Sequence, residues 1–183
     1  MIDDLIFKIK NAPTPFVITT RMDNDDIISS HFISQVQQSF IQQHNTIINL
    51  NAGYEYSVED QVLKKWNTRF KNQFISLIEQ SDNDSIQSVY AFPHWRLPED
   101  AKVINVPGRP YWIYLIHELN YSGSKVTGIP VFIKPRHLKD FPLAVRKLKL
   151  STIHTFRYGV KWFPKMVRRR LGLNDPLPPN RGS

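Results

Sequence analysis

The amino-acid sequence predicts an α/β fold in which a mixed central sheet is flanked by helices. Short runs rich in β-branched and aromatic residues recur along the first 133 residues, apolar residues at helical spacing separate some of them, and polar turn sequences stand between. Hydrophobic residues make up 41% of the 183 residues, which is enough for a buried core. One compact domain with a short appendage is therefore expected.

The first elements are a helix, a strand and a longer helix. Residues 2–10 place apolar side chains at helical spacing, and a proline-containing segment ends that helix. Phe16–Thr20 has the composition of a buried strand. Beyond an acidic segment, an apolar stripe at i, i+4 spacing predicts an amphipathic helix over residues 26–43, with Asp25 or Asp26 as its N-terminal cap.

The later elements are predicted to be mainly strands. Residues 46–56 alternate around a turn sequence at 51–53, which predicts two strands joined by a turn. A short buried segment follows at 74–78. Strands are also predicted at 88–92, 102–106, 112–116 and 128–133.

The charge divides the chain into two parts. Residues 1–133 carry 11 Lys/Arg and 14 Asp/Glu, whereas residues 134–183 carry 13 and 2, so the net charges are −3 and +11. We therefore predict a body over 1–133 and a basic, largely helical tail over 134–183. The chain has no cysteine, which excludes disulfides and thiolate chemistry. Without a signal-peptide pattern or a spanning apolar run, a cytoplasmic location is expected, either free or at the inner face of the membrane.

The tail suggests an anionic partner. Its segment 161–171 mixes cations with large apolar side chains, a combination that suits the interface of an anionic membrane and would bring the protein close to a lipid-linked acceptor. Nucleic acid is the less favoured partner, because the acidic body offers it no support. A solvated helix packed on the body through Phe156, Trp162 and Phe163 is the plain alternative.

The acidic segment Asp23-Asn24-Asp25-Asp26 is the main candidate for chemistry. In an extended segment, Asp23 and Asp25 point the same way, with Asp26 beside them, and three close carboxylates repel one another unless a cation is present. Oxygen ligands suit Mg²⁺ or Mn²⁺, which would keep positions open for substrate phosphates. The alternative is a solvated turn in which one aspartate caps a helix.

The acidic segment also carries a resemblance to a known family. Residues 18–26, Ile-Thr-Thr-Arg-Met-Asp-Asn-Asp-Asp, resemble the motif of the putative rhamnosyltransferase family, a glycosyltransferase group of GT-A type. The resemblance extends over residues 16–133, and further segments match in the same order at 48–54, 72–79, 93–97 and 112–122. Members of that family usually carry a preceding segment, so this chain is expected to be the C-terminal part of such an enzyme or a short relative.

The resemblance implies roles for the acidic segment. Asp23, with Asn24, would lie at the donor ribose, Asp25 would hold the metal, and Asp26 would be an additional ligand or cap. Arg21 would meet a donor phosphate, although a surface ion pair with an aspartate is an equal alternative. His117, at the end of a predicted strand, would complete the metal shell as a histidine often does in GT-A enzymes. A hydrogen-bonded structural histidine is the alternative there.

The catalytic candidates are less defined. Glu79 ends a buried apolar segment and is a candidate general base for the acceptor hydroxyl, although it could instead pair with Arg96 or cap a helix. His94 suits proton transfer or a contact with the acceptor hydroxyl, with packing beside Trp95 as its alternative.

Two aromatic side chains could contact a sugar. Trp112 and Tyr114 could stack on a sugar ring, but packing within the protein is the safer interpretation.

Together with the acidic segment, the resemblance implies a glycosyltransferase. It would move a sugar from a nucleotide-diphosphate donor to a glycan or lipid-linked acceptor, with Mn²⁺ or Mg²⁺ held by the Asp-X-Asp motif. The alternatives are a catalytically incomplete transferase that acts as a binding or scaffold module, and nucleic-acid binding through the basic tail.

Overall fold

The computed structural model describes residues 2–67, 72–93, 96–117 and 128–171. The helices are α1 (Ile2–Lys10), α2 (Phe32–Gln38), a 3₁₀ helix (Arg136–Asp140), α3 (Leu143–Arg146) and α4 (Thr152–Arg170). The strands are β1 (Phe16–Thr20), β2 (Ile27–Ile28), β3 (Thr46–Leu50), β4 (Ala52–Ser57), β5 (Val62–Asn67), β6 (Ile75–Gln80), β7 (Lys102–Val106), β8 (Trp112–Ile116) and β9 (Ile129–Pro130).

The strands form two mixed sheets with flanking helices, so the predicted α/β class with mixed strand directions is confirmed. The first sheet has the order β1-β6-β3-β7, and the second has the order β2-β8-β4-β5-β9. Among the strand pairs of the described residues, β3–β7 and β4–β8 are parallel and the others are antiparallel. The strands predicted to make one central sheet are thus divided between two.

The turn predicted at 51–53 is a junction between the two sheets. β3 ends at Leu50 and β4 begins at Ala52, so Asn51 alone separates them. The N–H of Asn51 donates to the carbonyl of Val106 at 3.0 Å, which ties the junction to the end of β7. Because β3 belongs to the first sheet and β4 to the second, the chain passes directly from one sheet to the next, and β3 and β4 make no hairpin with each other.

Trp112 is central to the core at this junction. Its side chain is fully buried, its ring stacks on Phe74 with centroids 4.8 Å apart, and its indole N–H donates to the carbonyl of Leu50 at 2.8 Å. Gly53 lies opposite Trp112 in the β4–β8 pairing, where the ring leaves no space for a side chain. Trp112 therefore packs within the protein, as the safer interpretation held, and Tyr114 packs partly buried against the same core.

The helix predicted over 26–43 is wrong at its start. Ile27 and Ile28 form the short strand β2, paired antiparallel with Ile113 and Trp112 of β8, and α2 is only seven residues long. The predicted aspartate cap is also wrong, because His31 occupies the N-cap position and makes no side-chain cap hydrogen bond. Pairing with β8 has overridden the helical periodicity of the apolar side chains.

The strand predicted at 88–92 is also wrong, because side chains satisfy its backbone. The Glu79 carboxylate accepts the N–H groups of Gln87 and Ser88, and the Thr19 hydroxyl accepts the N–H of Val89 at 3.0 Å. With these donors used, the segment forms turns. At 128–133 only the two-residue strand β9 forms, and one further backbone hydrogen bond follows it, from the N–H of Val131 to the carbonyl of Leu63 at 2.9 Å.

The basic region begins by packing on the second sheet. Leu138, Phe141 and Val145 are buried in a cluster with Tyr54 and Ile113. The domain boundary at residue 134 stays a prediction. Within the described ranges, none of the helices combines the length and apolar character that a bilayer crossing needs.

Candidate functional site

The acidic segment forms a tight turn between β1 and β2. The N–H of Asp26 donates to the carbonyl of Asp23 at 3.3 Å, which closes the turn with Asn24 and Asp25 at its centre. Asp23 and Asn24 are exposed, whereas Asp25 and Asp26 are half-buried. The segment is therefore not extended, and the expected alternation of side chains does not apply to it.

Asp25 contacts His117. The Oδ2 atom of Asp25 lies 2.8 Å from Nε2 of His117, and each side chain retains about a third of its surface, at 35% and 30% exposure. His117 directly follows β8, whereas Asp25 precedes the strand β2 that pairs with β8. The β2–β8 pairing thus brings together two residues that are 92 positions apart in the sequence.

Asp26 points into the protein instead of toward solvent. Its carboxylate accepts a hydrogen bond from Nε2 of Gln73 at 2.9 Å and another from the backbone N–H of Leu115 at 3.3 Å. Burial raises the pKa of Asp26 from its usual 3.8 to about 6, although both hydrogen bonds oppose this rise. With an accepted hydrogen bond at each oxygen, Asp26 fixes the turn against β8.

A network of buried amides supports Gln73. Asn72 is almost fully buried, donates to the side chain of Asn49 and to the carbonyl of Leu50, and accepts the N–H of Phe74 at 2.8 Å. Asn49 in turn donates to Asn105 at 2.8 Å, across the parallel β3–β7 pair. This network sets the position of the residue that holds Asp26. The sequence analysis did not predict this hydrogen-bond network. The asparagines within apolar strand patterns are the feature of the sequence that could have indicated it.

Arg21 is held beside the turn by aromatic residues. Its Nη1 donates to the carbonyl of Phe92 at 3.4 Å, and its guanidinium lies 5.7 Å from the ring centre of Tyr90. The Tyr90 hydroxyl also contacts the backbone of Met22. Among the residues that the structure describes, Arg21 makes no ion pair with an aspartate, so the ion-pair alternative is not observed there.

Glu79 lies apart from the acidic turn. Glu79 pairs with Val17 in the β1–β6 register. Val17 lies three residues before Thr20, the end of β1 that leads into the acidic turn, which corresponds to about 10 Å along the strand. Its buried carboxylate accepts the N–H of Gln87 at 2.8 Å and that of Ser88 at 3.1 Å. It lines a separate polar cavity of about 240 Å³ that also contains His44. The other catalytic candidate, His94, lies outside the described residues.

The convergent groups define what the site can do. Asp25 supplies a carboxylate oxygen, which suits Mn²⁺ and Mg²⁺, and His117 supplies an imidazole nitrogen, which suits Mn²⁺ better than the harder Mg²⁺. Within the described part of the chain, no three His, Cys, Asp or Glu residues form a cluster that could hold a metal ion. Any cation here would therefore need most of its ligands from water or from a bound anion.

Comparison with known proteins identifies the family. The family described as putative rhamnosyl transferase matches residues 1–129, which include α1, the acidic turn and β8. No curated protein and no solved structure matches the chain at a significant level. The match covers more than two thirds of the chain, and the chain therefore belongs to the putative rhamnosyl transferase family of glycosyltransferases.

Proposed function

We propose that this glycosyltransferase uses a nucleotide-diphosphate sugar as donor and binds the diphosphate, through a divalent cation, at the Asp23–Asp26 turn. The 2.8 Å approach of Asp25 to His117 carries the proposal. A carboxylate and an imidazole from two distant segments meet here, and both stay partly open to solvent. This exposure leaves room for a cation and a donor phosphate to reach both side chains.

The residues present fit Mn²⁺ or Mg²⁺ in an open site. Asp25 and His117 would hold the cation, and donor phosphate oxygens and water would complete its coordination, since Mg²⁺ in particular binds through few carboxylates and keeps positions for phosphates. When bound, the cation neutralises charge on the departing diphosphate. The requirement for phosphate ligands accounts for the small number of protein ligands.

The neighbouring residues have distinct roles in this proposal. Asp26 positions the turn through its hydrogen bonds to Gln73 and Leu115, and its role as an additional ligand stays a prediction. Asp23 and Asn24 are exposed on the turn, where they can reach hydroxyl groups of the donor. Arg21, held beside the turn by Tyr90 and Phe92, contributes positive charge toward the diphosphate.

The acceptor side is less constrained. A glycan or lipid-linked acceptor remains our proposal, and the general base is not assigned. The hydrogen bonds of Glu79 to two backbone N–H groups favour a structural role over proton transfer. A catalytic role for His94 stays a prediction.

Titration with Mn²⁺, followed by electron paramagnetic resonance, tests the proposal. In the presence of a nucleoside diphosphate, the wild-type protein should bind Mn²⁺, and Asp25→Ala and His117→Ala should each weaken binding at least tenfold. Asp82→Asn is the matched control, because Asp82 is an exposed aspartate in another loop. Unchanged Mn²⁺ affinity in Asp25→Ala would remove this residue from the site.

Donor turnover separates an enzyme from a binding module. Wild-type protein should release nucleoside diphosphate from one of UDP-, GDP- or dTDP-linked sugars when Mn²⁺ is present. A chain that binds Mn²⁺ through Asp25 but releases nothing from any of these donors, with or without acceptor glycans, would be a binding module and not a transferase.

A further inference from the structure

The helix α4 presents an apolar face to solvent. Ile153, Phe156, Val160 and Phe163 follow one another at intervals of three or four residues, so they lie along one stripe of the helix. All four are more than half exposed, with Phe156 at 63% and Phe163 at 60%. We call these four side chains, together with the exposed Phe132 of the body, the apolar face.

The attachment of α4 to the body keeps this face outward. Thr155 is buried, and the Tyr158 ring centre lies 4.3 Å from Nζ of the buried Lys64. Gly159 lies beside Phe132, and an added Cβ would lie 3.4 Å from the Phe132 ring. Thr155 and Tyr158 lie on the side of the helix away from the stripe, and Gly159 meets Phe132 at the edge of the stripe. The exposed rings of Phe156 and Phe163 are therefore not required for docking onto the second sheet.

An open groove joins the helix to the body along this face. It has a volume of about 580 Å³ and is lined by Pro130, Phe132, Phe156, Val160 and Phe163, among other apolar groups. A contiguous exposed apolar surface of this kind is unusual in a soluble protein without a partner. The surface therefore calls for an occupant that is itself apolar.

The charge of the helix specifies the occupant. The sequence of α4 contains six Lys/Arg and no Asp or Glu. Arg157, Lys161 and Arg168 are exposed and repeat at intervals of four and seven residues, which places them on a second stripe beside the apolar face. Cations flanking large apolar side chains match an anionic lipid surface, where the apolar groups enter the acyl boundary and the cations meet phosphates.

We propose that the apolar face and the adjoining cations dock α4 flat on an anionic bilayer surface. A second copy of the chain fits less well, because each copy of α4 carries six Lys/Arg and no acid, so two such helices would repel each other. Nucleic acid would use the cations but would leave the apolar stripe in water. This proposal is independent of the glycosyltransferase site, and its test does not require activity.

Cosedimentation of the full chain with lipid vesicles tests the proposal. The probes are vesicles of phosphatidylcholine alone and vesicles containing phosphatidylglycerol. The wild-type protein should bind the anionic vesicles preferentially. Phe156→Ser with Phe163→Ser should lower the partition coefficient more than tenfold, because both rings would otherwise enter the lipid. Arg157→Gln with Lys161→Gln should lower it about fivefold per cation on anionic vesicles only.

Matched controls on α1 separate docking from general effects. Phe7 is 66% exposed, so Phe7→Ser controls for loss of an exposed ring, and Lys8→Gln with Lys10→Gln controls for loss of two positive charges. Both controls should bind within twofold of the wild-type protein, and circular dichroism should show all variants folded.

Three outcomes would overturn the proposal. They are absence of wild-type binding to anionic vesicles, equal binding by the double phenylalanine variant, and binding to a short DNA duplex with steep salt dependence in place of vesicle binding. A concentration-dependent dimer that the double phenylalanine variant abolishes, without vesicle binding, would assign the face to a second copy instead.

Discussion

Alanine substitution of two glycines should change stability in opposite directions. A Cβ atom at Gly53 would lie 2.1 Å from the ring of Trp112, roughly 1.3 Å inside an ordinary contact, and Trp112 is fully buried. The ring cannot move without disturbing Phe74, on which it stacks, and its hydrogen bond to Leu50. We expect Gly53→Ala to lower the free energy of unfolding by about 3 kcal/mol or more, at the upper end of overpacking costs.

Gly159→Ala is the matched comparison. Gly159 lies inside α4, and the nearest atom to an added Cβ is the Phe132 ring at 3.4 Å, an ordinary contact with a half-exposed side chain. Replacing a mid-helix glycine by alanine should raise the free energy of unfolding by about 0.5–1 kcal/mol. Urea denaturation of both variants gives the comparison. If Gly53→Ala is as stable as the wild-type protein, the described pairing of β4 with β8 is wrong.

Three further predictions concern buried charges. Because burial raises the pKa of Asp26 to about 6, its favourable contribution to stability is complete below about pH 4 and is lost as the pH rises through 6. Between pH 4 and 7, the free energy of unfolding of Asp26→Asn should therefore rise by roughly 1–2 kcal/mol relative to that of the wild-type protein, allowing for partial exposure of Asp26. Urea denaturation without metal measures this, and a difference in unfolding free energy that stays constant with pH would contradict the raised pKa. Glu79→Gln should lower the free energy of unfolding by about 1–2 kcal/mol and leave Mn²⁺ affinity unchanged. Weaker Mn²⁺ binding by this variant would show that Glu79 belongs to the Mn²⁺ site. Lys64→Met should lower the free energy of unfolding by about 3–5 kcal/mol, because it leaves the buried Glu55 unpaired. Adding Glu55→Leu should restore most of that loss. Equal stability of the single and the double variant would refute the pairing.

The sequence predicts elements well where the pattern is local. Phe16–Thr20, residues 102–106 and residues 112–116 are strands as predicted, because β-branched and aromatic runs bounded by polar turns have few alternatives. The helix predicted from residue 26 begins only at Phe32, because Ile27 and Ile28 pair with Ile113 and Trp112, which lie 86 and 84 residues later in the chain. Spacing within a segment cannot reveal such a distant partner.

The candidate site was predictable only in part. Asp25 and His117 attract attention by residue type and by the family resemblance, and the structure brings them together. The residues that hold the turn are different, because Gln73 and Asn72 are ordinary polar residues in the sequence. Their function depends on the register of strands whose residues are up to 56 positions apart, as in the hydrogen bond from Asn49 to Asn105.

Calorimetric titration of nucleoside diphosphates tests the central proposal most directly. Binding of UDP, GDP or dTDP should be measured with Mn²⁺ and after its removal, for the wild-type protein, Asp25→Asn and Asp82→Asn. We predict that binding of at least one nucleotide requires Mn²⁺, is lost in Asp25→Asn and persists in Asp82→Asn. Binding of equal strength without Mn²⁺, or in Asp25→Asn, would contradict a metal-bridged diphosphate site at the Asp23–Asp26 turn.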